Sequence, residues 1–126
     1  MHNTQRNPLN PVLGYVLTAL LLSTPLAQAA QTDDAISTIA QGKAIAWDRK
    51  GGNCLACHSM PGGVSPGNIG PPLIAMQARF PKRQALYEQI YDATQINPDS
   101  RMPPFGKHQI LTETDINAVV DYLYTL

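Results

Sequence analysis

Apolar residues recur with a helical period at three places along the chain, and polar stretches rich in proline and glycine separate them. In the first, Ile39, Gly42 and Ala46 share a face at three- and four-residue intervals, which predicts a helix over 38–47. Gly42 weakens such a helix by about 1 kcal/mol relative to alanine, so a second helix crossing closely at that glycine is expected. In the second, Leu86, Ile90 and Ala93 form the buried stripe of a helix over 81–93, opened by Pro81 in its first turn. Tyr87 and Tyr91 lie beside that stripe and read as core or rim aromatics. The third pattern is the clearest: Ile116, Val119, Val120 and Leu123 fall at i, i+3, i+4 and i+7 behind Thr112 as N-cap. Asp115, three residues on, completes a capping box, and Glu113 and Asp115 place negative charge in the first turn, where the helix dipole favours it.

The intervening segments predict loops. Residues 30–37 are polar and expected to be loose, and Gly51 and Gly52 end the first helix. The 60–72 stretch holds Pro61, Gly62, Gly63, Pro66, Gly67, Gly70, Pro71 and Pro72, and the 97–109 stretch holds Pro98, Pro103, Pro104 and Gly106. Both compositions oppose regular structure. No internal repeat and no strand is evident, so the expected fold is all-α, three helices joined by two proline-rich loops.

Ahead of the first helix, Arg6 and the free amino group precede an almost unbroken apolar run at 12–22, and Ala27-Gln28-Ala29 supplies small residues around a cleavage point. This pattern predicts an export signal over 1–29, cut after Ala29, and a mature domain over 30–126. The run is short of the roughly twenty residues that span a bilayer, so no stable membrane anchor is expected. What remains is one small domain, marginal for a core built from side chains alone. Nine basic residues balance nine acidic ones, which predicts neither nucleic acid nor an anionic lipid surface as a partner. Lys43, Arg49, Lys50, Lys82, Arg83 and Lys107 read as scattered solvated charges in preference to a ring around a cofactor edge.

The candidate chemistry lies in Cys54-Leu55-Ala56-Cys57-His58, which contains both cysteines of the chain. Two thiols two residues apart with a histidine directly behind them have the spacing of c-type haem attachment: the thiols add to two porphyrin vinyl groups, and the imidazole reaches the iron. A zinc site would need four protein ligands or three plus water, and only His2 and His108 remain as further imidazoles. A redox dithiol expects a βαβ setting that the sequence lacks. A disulfide across so short a loop would restrict the unfolded chain little. Haem c, one per chain, is therefore the expected cofactor, and its bulk would complete the small core.

With His58 on one side of the iron, the other position has four candidates. Met60 is too near His58 to cross the ring, and Met76, close before Phe80 and Pro81, reads as core. Met102 stands in Arg101-Met102-Pro103-Pro104-Phe105-Gly106, where two prolines stiffen the backbone and lower the ordering cost of a weak thioether ligand. Met102 is the expected axial ligand, and His108 is the alternative. No side chain is expected to act as a catalytic group.

The cysteine motif after a helix, Gly70-Pro71-Pro72-Leu73 downstream, a methionine in a proline-rich loop and an aliphatic last helix together resemble class I cytochromes c. The resemblance implies that the Pro71 carbonyl accepts a hydrogen bond from His58 and that Leu73 packs on the haem. More narrowly, Gly51 to His58, Pro66 to Leu73 and Met102 to Gly106 are similar to the SoxX subunit of the SoxAX sulfur-oxidising cytochrome. That similarity implies a periplasmic partner of the haem subunit SoxA and an electron-accepting role when thiosulfate is joined to a cysteine of the carrier SoxY. It makes the chain the electron-transfer subunit of an L-cysteine S-thiosulfotransferase, not catalytic alone, that passes electrons to a downstream acceptor. Two other functions stay open: a freestanding periplasmic electron carrier, and a haem enzyme or gas sensor with an open sixth site.

Overall fold

Alanine is the strongest helix former, and Ala27, Ala29, Ala30, Ala35, Ala40, Ala44 and Ala46 run through the first element without an internal proline. That composition carries helix α1 over Leu26–Trp47. The computed structural model describes residues 26–126, so most of the expected export signal, including the apolar run at 12–22, lies outside the described residues. The backbone at the expected cut after Ala29 is helical, and 30–37 is helix instead of the loose segment expected from its polarity. Propensity summed over many residues outweighs the missing apolar stripe there.

After a turn comes a 3-10 turn at Cys54–Ala56, then the irregular 60–72 loop and a one-turn helix, α2, at Met76–Arg79. The sequence shows no sign of α2, because four residues are too few to display a period. Helix α3 covers Arg83–Tyr91, shorter at both ends than expected. Lys82 is extended and serves as N-cap, so Pro81 lies before the helix. Asp92 leaves helical geometry and caps a 3-10 turn at Ala93–Gln95. Helix α4 spans Glu113–Leu123 with the expected box in place: the Thr112 hydroxyl accepts from the Asp115 N–H at 3.1 Å, and the Asp115 carboxylate accepts from the Thr112 N–H at 3.0 Å. Among the described residues no strand occurs.

Helices α1 and α4 cross at Gly42, where a Cβ would run into the Ala118 carbonyl. This is the close approach that the glycine implies, and it brings Ala46 against Ile116, Val119, Val120 and Leu123 in one buried cluster. Leu86 and Ile90 of α3 close that cluster from the other side, with Met60, Leu73, Met76, Phe105 and Leu111 supplied by the loops and α2. The half-exposed Arg83 ties α3 to α4 by donating to Asp121 at 2.7 Å and to the Asn117 side chain at 2.6 Å. A contact of that exposure contributes little beyond register. Two tyrosines fasten α4 and the residues that follow it: Tyr122 accepts from the Trp47 indole N–H at 3.0 Å, and the Tyr124 hydroxyl donates to the Phe80 carbonyl at 2.6 Å.

Candidate functional site

Asn53 initiates the cysteine motif in a left-handed conformation, φ 46°, that asparagine tolerates better than most residues. From there a 3-10 turn carries Cys54 to Cys57, whose N–H donates to the Cys54 carbonyl at 3.2 Å. The His58 N–H donates to the same carbonyl at 2.9 Å, so the imidazole leaves the chain about one turn beyond the first thiol. Both thiols are free and partly buried, with no disulfide between them. Burial pushes the Cys54 thiol up to about 11, the negative charge of a Cys57 thiolate adding to the effect. A neutral thiol is a poor nucleophile for disulfide exchange, so Cys54 is not activated for the redox-dithiol alternative. Among the described residues no three His, Cys, Asp or Glu side chains converge as a metal cage.

The 60–72 loop folds back onto this motif from Gly67 onward. Gly67 donates to the Leu55 carbonyl at 2.9 Å, Gly70 to the Cys57 carbonyl at 2.8 Å and Leu73 to the Ser59 carbonyl at 2.8 Å. These bonds lay Gly70 flat against the His58 ring, where a Cβ would collide with three ring atoms. They also bring the Pro71 carbonyl to 2.7 Å from His58 Nδ1. A carbonyl oxygen can only accept, so the proton sits on Nδ1 and the Nε2 lone pair is left for a metal. Arg79 holds the neighbouring Pro72 carbonyl at 2.7 Å. The donor set therefore fits a covalently attached haem: two free thiols, and an imidazole oriented and polarised through its far nitrogen.

The four candidates for the other side of the iron occupy different environments. Met60 is buried and receives a long hydrogen bond from the Tyr122 hydroxyl at 3.8 Å. Met76 is buried in the core as expected, 2% exposed. His108 is exposed and its N–H donates to the Pro104 carbonyl at 3.0 Å. Met102 is half-buried and packs against the same apolar cluster that Cys54 and Leu55 touch, and its N–H donates to the Ser100 hydroxyl at 3.2 Å. Cys54, Cys57, His58, Pro71 and Leu73 are thus gathered by direct bonds, whereas Met102 reaches their common core from a separate loop.

Of the six cations that the sequence reads as solvated charges, three have partners. Arg83 bonds Asp121, Lys43 lies 5.3 Å over the Trp47 ring, and the Lys107 ammonium donates to Asp92 at 2.9 Å. Asp92 and Arg79 are absent from the sequence-level site. Asp92 carried a local signal, since an aspartate two residues before a threonine commonly caps a turn. Nothing near Arg79 in sequence marks its contact with Pro72.

The family described as Cytochrome C oxidase, cbb3-type, subunit III matches residues 37–123. A protein of Aquifex aeolicus (strain VF5), described as an uncharacterized lipoprotein, is 40% identical over 76 residues, which cover 60% of this chain and 37% of that protein. The chain thus spans little more than a third of the length of that relative. No helix among the described residues is long and apolar enough to cross a membrane.

Proposed function

The chain belongs to the cbb3-type cytochrome c oxidase subunit III family of cytochrome c domains, and from that premise we propose that it is the electron-accepting, SoxX-like subunit of a thiosulfate-oxidising cytochrome complex. Family membership makes it a monohaem c-type cytochrome and electron carrier with a small all-α class I fold. When bound, the haem supplies a one-electron iron couple. Cys54 and Cys57 anchor it as thioethers, and His58 offers Nε2 while its Nδ1–H is held by Pro71. Leu73 would form an apolar wall, and the Met102 thioether would supply the second iron ligand. With both ligands supplied by the chain no coordination site would stay open, which suits electron transfer and opposes the sensor or haem-enzyme alternative.

The observation that carries this reading is the 2.7 Å contact between His58 and the Pro71 carbonyl beside two free thiols. It polarises the imidazole and removes its rotational freedom, as an axial ligand requires. The narrower assignment rests on the three segments around Cys54, Pro71 and Met102. Once both thiols are committed no cysteine remains to handle sulfur, so the chemistry on thiosulfate falls to a partner corresponding to SoxA and electrons leave to a downstream acceptor. The chain is periplasmic in this reading, exported by a signal cleaved after Ala29, and the lipoprotein description of its Aquifex relative agrees with export.

Purification of the native complex tests the assignment. Co-elution with a second c-type cytochrome, one haem on this chain, and reduction by thiosulfate only when a SoxY-type carrier protein is present are expected. A monomer that reduces a terminal oxidase unaided would instead establish the freestanding carrier.

A further inference from the structure

Asp92 is the buried charged side chain among the described residues, 3% exposed. A carboxylate taken out of water is costly unless fully paired, and this one is. Its Oδ1 accepts from the Thr94 N–H at 3.1 Å and from the Thr94 hydroxyl, and its Oδ2 accepts from Gln95 and from Lys107, both at 2.9 Å. The Thr94 bonds belong to the turn that Asp92 caps, and the single carbonyl oxygen of an asparagine could accept from them. The second oxygen takes Gln95 and, fifteen residues on, Lys107, and an asparagine would turn its amide nitrogen toward those two donors.

Beside that ion pair, the Tyr91 carbonyl accepts from the Gly106 N–H at 3.1 Å and the Lys107 N–H at 3.3 Å. A Cβ at Gly106 would run into the Tyr91 ring, so backbone and aromatic ring are in direct contact. The segment from Asp92 to Lys107 is therefore closed at its base like a clasp. Met102 lies within the closed segment, five residues before Lys107, and Pro98, Pro103 and Pro104 make the intervening backbone stiff. A stiff segment transmits a shift at its base to the residues within it instead of absorbing it.

We infer that Asp92, acting through Lys107, is a positioning residue for Met102: it closes the base of the methionine loop and thereby keeps the thioether within reach of the haem iron. The inference rests on Met102 being the axial ligand, and the experiment separates the two. Full-length holoprotein, matured in cells equipped for cytochrome c assembly, is prepared as wild type, Asp92→Asn, Lys107→Gln, Met102→Ala and Thr112→Ala. The readouts are the near-infrared sulfur-to-iron band of the oxidised protein and the rate of carbon monoxide binding to the reduced protein, which requires the thioether to leave.

Asp92→Asn and Lys107→Gln are expected to keep covalent haem and helix content, weaken the band and bind carbon monoxide about tenfold faster, the range typical for loss of an outer partner of a metal ligand. Met102→Ala should abolish the band, and Thr112→Ala, which removes the α4 cap but no hydrogen bond of the clasp, should leave both readouts at wild-type values. A band that survives in Met102→Ala overturns the ligand assignment. A band lost there but unchanged, with an unchanged carbon monoxide rate, in Lys107→Gln overturns the positioning role, and so does an equal acceleration in Thr112→Ala. Lys107 is half exposed, 51%, so its variant decides the matter even if Asp92→Asn fails to fold.

Discussion

The 60–72 loop and the 97–109 loop are both proline-rich and are fastened in opposite ways. The first is stitched through its second half and just beyond by backbone bonds to the cysteine motif, from Gly67 to Leu55, from Gly70 to Cys57 and from Leu73 to Ser59. The second is gripped at its base by Tyr91 and the Asp92–Lys107 pair, while the Met102 N–H finds only the nearby Ser100 hydroxyl. A histidine ligand needs one fixed orientation, which a stitched loop maintains. In the proposed assignment Met102 has to be kept near the iron, and a stiff loop held at its base does that with few bonds. Similar proline content therefore says little about how rigid a loop is; where its backbone bonds go says more.

The largest effect is expected where the first loop meets its cofactor. Cys54→Ala with Cys57→Ala should leave the exported chain at the mass of its bare polypeptide, and mass spectrometry of periplasmic protein checks it. Without the covalent group the small core should lose its cooperative thermal transition, seen by circular dichroism. Gly70→Ala places a methyl in the His58 ring and should lower stability by about 2 kcal/mol, the scale of overpacking, with a shifted midpoint potential. The matching change at Gly67, against the Ala56 carbonyl, should also destabilise but move the potential less.

Hydrogen exchange compares the loops directly. The amides of Gly70 and Leu73 should be protected at least about tenfold more than that of Met102, because local opening follows the bonds that hold each segment. Equal protection would remove the distinction between stitched and clasped loops. Thr112→Ala should cost about 1 kcal/mol through loss of the N-cap, lowering the denaturation midpoint without changing the ratio of protection between the loops.

The narrowest effect concerns acid. Hydrogen bonds from Thr94, then Gln95 and Lys107, hold the Asp92 carboxyl below the usual carboxylate range. A group whose folded value is depressed stabilises the native state above its unfolded value, about 3.9, and that stabilisation is lost as pH falls toward the folded value. The stability difference between wild type and Asp92→Asn should therefore be full above about pH 5 and shrink below about pH 4, measured by denaturant titration. A difference constant from pH 3 to pH 7 would mean that charge is not what Asp92 contributes.

Much of the architecture was legible because it depends on neighbours in sequence. The Thr112 box, the stripe from Ile116 to Leu123, the crossing at Gly42 and the cysteine motif each involve residues a few positions apart, or a glycine whose presence in a helix implies contact. Helix α1 was underestimated because its amino-terminal half is helical by alanine content without an apolar face to reveal it. Helix α2 was too short to show a period, and α3 ended early because Asp92 competes for the backbone of the following turn.

By itself the sequence determined which groups are available to the haem: two thiols, an imidazole directly behind them, and a thioether between prolines. Tertiary structure decided what those groups can do. Only folding brings Pro71 to the imidazole and so settles which nitrogen carries the proton, buries Met60 and Met76 while leaving Met102 at the edge of the shared core, and draws Lys107 onto Asp92. The division is physical: short-range pattern encodes local geometry, but a contact between residues ten or more positions apart exists only when the intervening chain has closed its loop, and composition alone does not say where it closes.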